Sequence, residues 1–354
     1  MCSIALASCE SAGAGAPSTN ANTSINATKP AGTTTATTDT KSPDDQVARA
    51  DNKPGTDFAT WLVGLRRDAI ASGIKPATLD IALEGVAPIP RVIELDHAQP
   101  ETKLTFAQYV QRVASPARQD GVRRNLAENQ ALLDEVSQRF HVQPRFIVAL
   151  WGIETDFGRT SGDFPVIAAL ATLAYDGRRS AFFRRELIAA LKIADRDQID
   201  PRIMRGSWAG AMGQSQFMPS SFLQYAVSYR ADGRPDIWNR REDVFASIAN
   251  YLAKIGWRED ETWGRTVSAP HGLDPALIGP GVKKSLTEWQ RLGVRRDDGG
   301  ALPNREVEAS LLEPEGEGGP AILAYANFRT LLKWNNSSAF ATAVGYLADS
   351  AESR

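Results

Sequence analysis

The stretch Pro144-Arg-Phe-Ile-Val-Ala-Leu-Trp-Gly-Ile-Glu-Thr-Asp-Phe-Gly158 is the most informative in the chain. It reads as a helix from about Pro144 to Phe157, with Ile147, Leu150, Trp151 and Phe157 forming one apolar stripe. Glu154 falls seven residues after Ile147 and three after Trp151, inside that stripe. A carboxylate placed there is desolvated, and desolvation raises a carboxyl pKa. A Glu still protonated near neutrality is suited to general acid work. The alternative is a buried Glu satisfied by an Arg or by backbone. Asp156 falls about 200° further round the same helix, which makes it a solvated or helix-end carboxylate and not a second catalytic group.

A second cluster follows, Gly206-Ser-Trp-Ala-Gly-Ala-Met-Gly-Gln-Ser-Gln-Phe-Met-Pro-Ser-Ser221. Its small residues let backbone approach backbone or a ligand closely. Ser207, Gln214, Ser215 and Gln216 supply uncharged hydrogen-bonding groups, and Trp208 and Phe217 supply flat apolar faces, a combination that suits sugar rings. The plain alternative is a Gly-rich connector ending in a helix N-cap at Ser220 or Ser221.

Around these segments the periodicity predicts a mainly helical body. Trp61, Leu62, Leu65 and Ala69 recur at helical spacing, with Asp57 as N-cap and Gly73 as stop. Leu79, Ala82, Leu83 and Val86 continue the pattern after Pro76. Pro88 to Pro100 reads as a loop, and Val122 to Phe140 as one long helix. Further helices are expected over about Pro165–Ala174, Ser180–Ala194, Ser220–Tyr229, Asp243–Ile255 and Ser338–Leu347, with Gly256 closing the fourth of these. Between Trp263 and Tyr325 the texture changes. Val307, Ala309 and Leu311 alternate with polar residues, a turn rich in Glu and Gly follows, and Ala321 to Tyr325 returns as a second strand. This predicts a small β-containing insertion, residues 263–325, packed on one body. No internal repeat is evident.

Composition narrows the function. With 354 residues, 42% hydrophobic and 23% charged, the chain is neither collagenous, coiled-coil nor wholly disordered. Its 40 Lys+Arg against 42 Asp+Glu leave a formal charge of -2, so no net basic field exists to hold a nucleic acid. His97, His141 and His271 show no metal-ligand spacing, which argues against a zinc enzyme. Both cysteines, Cys2 and Cys9, precede Glu10, so the body has no disulfide, thiol nucleophile or thiolate metal site. Residues 10–57 are mostly Ala, Ser, Thr, Asn, Gly and Pro, and read as a disordered linker. Leu6-Ala7-Ser8-Cys9 resembles a lipoprotein lipobox, making residues 1–9 a partial signal and Cys9 a lipidation site. No Lys or Arg precedes it and its apolar core is far shorter than a signal needs, so either the true start lies upstream or the match is chance. No apolar stretch is long enough to span a membrane.

Through Trp151-Gly-Ile-Glu-Thr-Asp-Phe-Gly158 and Ala209-Gly-Ala-Met-Gly-Gln-Ser-Gln-Phe-Met-Pro-Ser-Ser221, the chain resembles the membrane-bound lytic murein transglycosylase B family over roughly Phe58 to Asp349. The resemblance implies a mainly α, lysozyme-like catalytic body over residues 58–349, acting on peptidoglycan glycan strands; no cofactor or metal is expected, and the chain is expected to be a monomer. It implies cleavage of the β-1,4 bond between N-acetylmuramic acid and N-acetylglucosamine without water, leaving a 1,6-anhydromuramoyl end. Glu154 is then the single catalytic carboxyl, acid first and base second. Ser207 and Gln216 match positions near the cleaved bond, and Tyr109, Arg178, Arg179, Tyr251 and Asn335 match other cleft positions. Trp334 and Phe340 stand where relatives often carry Tyr, keeping the flat face and losing the hydroxyl. The implied location is the periplasm, tethered to the outer membrane through Cys9. A hydrolytic muramidase and a non-catalytic peptidoglycan-binding envelope protein are the competing readings.

Some relatives hold calcium in an EF-hand-like loop. Counting from Ser228 here, Asp232 falls at position five, Gly233 at six, Arg234 at seven, Asp236 at nine and Asn239 at twelve, while Arg230 puts a positive charge at three. The set is too poor in anionic oxygen, and no bound calcium is expected.

Overall fold

Proline marks several helix starts. Pro76, Pro90, Pro116, Pro144 and Pro219 each stand in the first turn of a helix, where the missing N–H would have no intrahelical acceptor. The computed structural model describes residues 57–98, 104–231 and 233–352. The leader, Cys9 and the linker as far as residue 56 lie outside the described residues, as does Asp232. The helices are α1 (Phe58–Ala71), α2 (Pro76–Ala82), α3 (Pro90–His97), α4 (Phe106–Val113), α5 (Pro116–Glu128), α6 (Gln130–Phe140), α7 (Pro144–Thr155), α8 (Val166–Asp176), α9 (Ser180–Asp197), α10 (Pro219–Tyr225), α11 (Arg241–Ile255), α12 (Leu286–Arg291), α13 (Ala326–Trp334) and α14 (Ser338–Asp349). The protein is mainly helical with a small sheet. Among the described residues no helix is long and apolar enough to cross a membrane.

Several boundaries depart from the sequence reading. The expected loop at residues 88–100 contains α3: its prolines open a helix instead of breaking one, and Val92 and Asp96 turn into the core. The expected long helix is two, α5 and α6, divided at Asn129, whose amide donates to the Asn125 carbonyl. Helix α10 starts from Met218 and stops at Tyr225. Ser220 is no N-cap; its backbone N–H and hydroxyl both bond the Glu186 carboxylate. Asp57 caps α1 by accepting from the Thr60 N–H, and Gly256 ends α11 at φ 107.

Between Gly264 and Ala324 lies a five-stranded antiparallel sheet in the order β4-β6-β7-β3-β5. Its strands are β3 (Gly264–Ser268), β4 (Lys284–Ser285), β5 (Arg295–Arg296), β6 (Glu308–Leu312) and β7 (Ala321–Ala324). A second ladder joins β1 (Phe164–Pro165) to β2 (Arg205–Gly206) and tethers the entry of α8 to the start of the Gly-rich segment. The main core surrounds α7. Nine of its residues, Phe146 to Ile153 and Thr155, are buried, so this helix is apolar nearly all round and not along one stripe. Helices α5, α6, α11 and α14 pack against it.

Candidate active site

Glu154 is the penultimate residue of α7 and the only one in its last two turns that is not fully buried. The helix ends sharply because Asp156, Phe157 and Gly158 all take left-handed backbone, at φ 52, 60 and 80. This turn folds the Phe157 ring back over the helix, edge-on to Trp151 at 5.7 Å. Gly152 leaves the room: a Cβ there would lie 2.7 Å from the Phe157 ring. Asp156 is a helix-end carboxylate held by Arg159 through Nε at 2.9 Å and Nη2 at 2.6 Å.

The Glu154 side chain meets an aromatic column. Tyr225 stacks on Tyr251 at 3.9 Å, Tyr251 stacks on Trp334 at 4.7 Å, and Phe217 supports both Tyr251 and Trp334 edge-on. The Trp334 indole N–H then donates to Glu154 Oε1 at 2.9 Å. This is the one hydrogen bond Glu154 makes among the described residues. Among the described residues Oε2 has no hydrogen-bond partner, and it is not sealed from solvent. Burial pushes the Glu154 carboxyl up to about 7, against the smaller downward pull of the Trp334 N–H. Tyr109, on α4, is pushed up to about 12, first by burial and then by the charge of Glu154, so its phenol stays neutral beside the carboxyl.

The Gly-rich segment is bolted to α7 by Gln214. Its Oε1 accepts from Trp151 Nε1 at 3.0 Å, its carbonyl accepts from the Thr155 hydroxyl at 3.0 Å, and its Nε2 donates to the Trp238 carbonyl at 2.7 Å. Gln214 is therefore engaged at both ends of its amide in positioning the Gly-rich segment. Trp208, Ser215 and Phe217 are buried, and Trp208 Nε1 and Ser215 Oγ have no partner. They underlie the site and are not the exposed platforms expected from composition. Ser207 Oγ accepts from the Ala211 N–H at 3.1 Å, which leaves its own hydrogen to donate. Gln216 takes left-handed backbone at φ 49 and donates through Nε2 to the Ser161 and Gly213 carbonyls, both at 2.9 Å.

Other expected cleft residues divide. Tyr251 is nearly buried in the column. Asn335 is the half-buried C-cap of α13, directly after Trp334. Arg178 and Arg179 both converge on Asp96, a residue 1% exposed: Arg178 donates to its carbonyl at 2.6 Å and Arg179 pairs with its carboxylate. Phe340 does not line a cleft. It is 0% exposed in the core on the first turn of α14, and without a hydroxyl nothing draws its ring to the surface.

Two regions bear on metals. In the loop after α10, Asp236 Oδ1 accepts from the Trp238 and Asn239 N–H groups, both at 2.9 Å. Asp243, 0% exposed, accepts from the Tyr229 N–H at 2.7 Å and the Asp236 N–H at 2.8 Å and pairs with Arg240, which also donates to the Arg234 carbonyl. The arms of this loop are thus closed by a carboxylate–guanidinium pair. Asp96, His97 and Asp176 bring three ligand atoms within 4.8 Å of one another, but both arginines already occupy Asp96.

Comparison with known proteins places this geometry. The Transglycosylase SLT domain model matches residues 57–349. The chain is 36% identical over 218 residues to membrane-bound lytic murein transglycosylase B of Escherichia coli (strain K12), a match covering 61% of this chain and 58% of that protein's length. SltB3 from Pseudomonas aeruginosa, solved in complex with NAG-anhNAM-pentapeptide, is similar at 44% identity and a TM-score of 0.81, covering 84% of this chain and 80% of that one. The Escherichia coli lytic transglycosylase Slt35 in complex with calcium is similar at 28% identity and a TM-score of 0.70, covering 82% and 92%. From Asp57 to Asp349, with Glu154 at the end of its central helix, the chain belongs to the transglycosylase SLT domain family.

Proposed function

We propose that the protein is a peptidoglycan lytic transglycosylase that cleaves the β-1,4 bond between N-acetylmuramic acid and N-acetylglucosamine without water. The observation that carries this reading is one carboxyl at the end of a buried helix, pushed up to about 7 and open on one oxygen. Glycosidases in general use two carboxyl groups. Here the nearest acid in sequence, Asp156, is tied to Arg159. Protonated Glu154 gives its proton to the glycosidic oxygen as the C1–O bond breaks and N-acetylglucosamine leaves as an alcohol. The muramoyl acetamido oxygen bonds to C1 and carries the positive charge. Glu154, now a carboxylate, takes the proton of the 6-hydroxyl, whose oxygen displaces the acetamido oxygen at C1 and closes the anhydro ring. Glu154 ends protonated and no water is consumed.

Ser207, Gln216, Tyr109, Arg178, Arg179 and Asn335 are proposed to hold the glycan. Ser207 retains a free donor beside the Gly-rich turn, and Arg178, about half exposed and oriented by Asp96, offers a cation to carboxylates of the substrate. We place the protein in the periplasm as a monomer, tethered through Cys9. Purified sacculi incubated with the protein are expected to release anhydro-muropeptides, and Glu154→Gln to lower that release at least a thousandfold. Products heavier by one water would instead make it a hydrolytic muramidase. Sacculus binding without turnover would make it a binding protein.

A further inference from the structure

We propose that Trp334 is a positioning residue that decides which oxygen of Glu154 carries the proton: its indole N–H holds Oε1 as a permanent acceptor, so Oε2 both gives and takes the proton. The inference deepens the proposed reaction and rests on it.

The argument begins with the indole, which is a donor and has no lone pair to accept with. The 2.9 Å contact to Oε1 therefore favours a bare Oε1, whether the carboxyl is neutral or ionised, because a carboxyl oxygen that carries the proton is the poorer acceptor. When the carboxyl is neutral its proton is thus favoured on Oε2, the oxygen without a partner among the described residues. When it is ionised the indole still holds Oε1, and Oε2 is again the oxygen free to accept. A carboxyl without this contact can present its proton on either oxygen. Half the population would then aim the acid away from the substrate.

The indole cannot easily turn aside. It is stacked on Tyr251 at 4.7 Å with an interplanar angle of 29°, and Tyr251 is stacked in turn on Tyr225 at 3.9 Å. Phe217 closes the edge of both rings. Trp334 is the last residue of α13, whose Lys333 donates to the Ile255 carbonyl at 2.7 Å and so fixes the end of α13 to the end of α11. The donor thus arrives on a rigid support assembled from three helices.

Few other groups compete for this role. Tyr109 of α4 and Tyr251 of α11 face Glu154 as neutral phenols. Arg118 of α5 acts on Tyr109 and donates to the Val113 carbonyl. Arg241 of α11 lies over the Trp151 ring at 5.3 Å. Arg145 sits at the opposite end of α7 beside Glu352, and Asp349 at the far end of α14 is held by Trp263. Asp156, the remaining carboxylate of the helix end, is paired with Arg159.

The test uses the intact protein in two measurements. In proton–nitrogen NMR, the Trp334 indole resonance, assigned by its loss in Trp334→Phe, is expected to titrate with a midpoint near neutrality. In Glu154→Gln it should stay constant with pH. In sacculus digestion, Glu154 must start protonated, so activity declines as pH rises through its pKa. Trp334→Phe keeps a flat face on Tyr251 and removes the donor. It is expected to move that alkaline limb upward by about one pH unit and to lower kcat about twofold with KM nearly unchanged. Trp334→Tyr, which restores an O–H donor, should bring the limb back toward the wild-type position. A wild-type indole resonance indifferent to pH, or a limb unmoved in Trp334→Phe, overturns the proposal. A wild-type protein that titrates in this way yet releases no anhydro product overturns the proposed reaction and leaves the hydrogen-bond assignment standing.

Discussion

At the scale of one residue, burying a carboxyl penalises folding only when the group ionises, and this gives Glu154 a sign that can be measured. Its folded pKa is about 7, well above the ordinary carboxyl value of 4.5. Between those two values the folded protein keeps a proton that the unfolded chain has released. Stability is therefore fully present below about 4.5 and is lost progressively as pH rises to about 7. Over that window the burial of Glu154 removes up to ~3 kcal/mol of stability, from about 1.4 kcal/mol per pKa unit. Glu154→Gln keeps an acceptor for the Trp334 N–H and cannot ionise. Its thermal midpoint should match that of the wild type near pH 4.5 and exceed it by several degrees at pH 8. Equal gaps at both pH values would mean that the carboxyl is not raised. The position of Glu154 was legible in sequence because a carboxylate inside an apolar run has few innocent explanations. Its partner was not, because Trp334 lies 180 residues away. Gln214 was misread for a related reason: an amide in a Gly-rich run looks available until Trp151, 63 residues upstream, is seen to occupy it.

At the scale of the element, local signals worked where they had local causes. Asp57 and Gly256 ended their helices as expected, one by a side-chain cap and the other by left-handed backbone. Helix α4, which carries Tyr109, was overlooked although Thr105 and Gln108 form a capping box at its start. Helix α13, which carries Trp334, has no side-chain cap, and its Tyr325 entry directly continues a strand, so little in the sequence separates the two. The loop after α10 yields a prediction of its own. Among the described residues three sets of its oxygens are already engaged: Asp243 by two backbone N–H groups and Arg240, Asp236 by two further backbone N–H groups, and the Arg234 carbonyl by Arg240. A guanidinium occupies the place in this hydrogen-bond scheme that a cation would need. Millimolar calcium or a chelator should leave the thermal midpoint unchanged. Arg240→Gln, which leaves buried Asp243 without its cation, should lower it by several degrees, reflecting a loss on the order of 3 kcal/mol. Calcium that raises the wild-type midpoint, or that titrates with micromolar affinity in calorimetry, would refute this account.

At the scale of the whole molecule, the decisive strand is β7, because its two faces belong to different cores. Ile322 and Ala324 pack into the main core with α7, while Ala321 and Leu323 pack into a smaller core with Val267, Trp289, Ala309 and Leu311. Alternation along one strand makes this sharing unavoidable, since successive side chains point to opposite sides of a sheet. The join is reinforced at Trp263, just before β3. Its ring fills the space that a side chain at Gly345 of α14 would occupy, and its Nε1 donates to Asp349 at 2.9 Å. Two cores that share a wall unfold together, so the sheet region should have no melting transition of its own. Leu323→Ala opens a cavity on the small-core face and Ile322→Ala opens one on the main-core face, each at an expected loss of ~2–5 kcal/mol. In scanning calorimetry both variants should shift a single cooperative transition to lower temperature, with calorimetric and van't Hoff enthalpies in agreement. If Leu323→Ala instead splits off an early transition while the remainder melts at the wild-type temperature, the sheet is an independent unit. The rigid delivery of Trp334 to Glu154 would then have to come from the packing of α13 against α10 and α11 alone, because the sheet that leads into α13 could open without them.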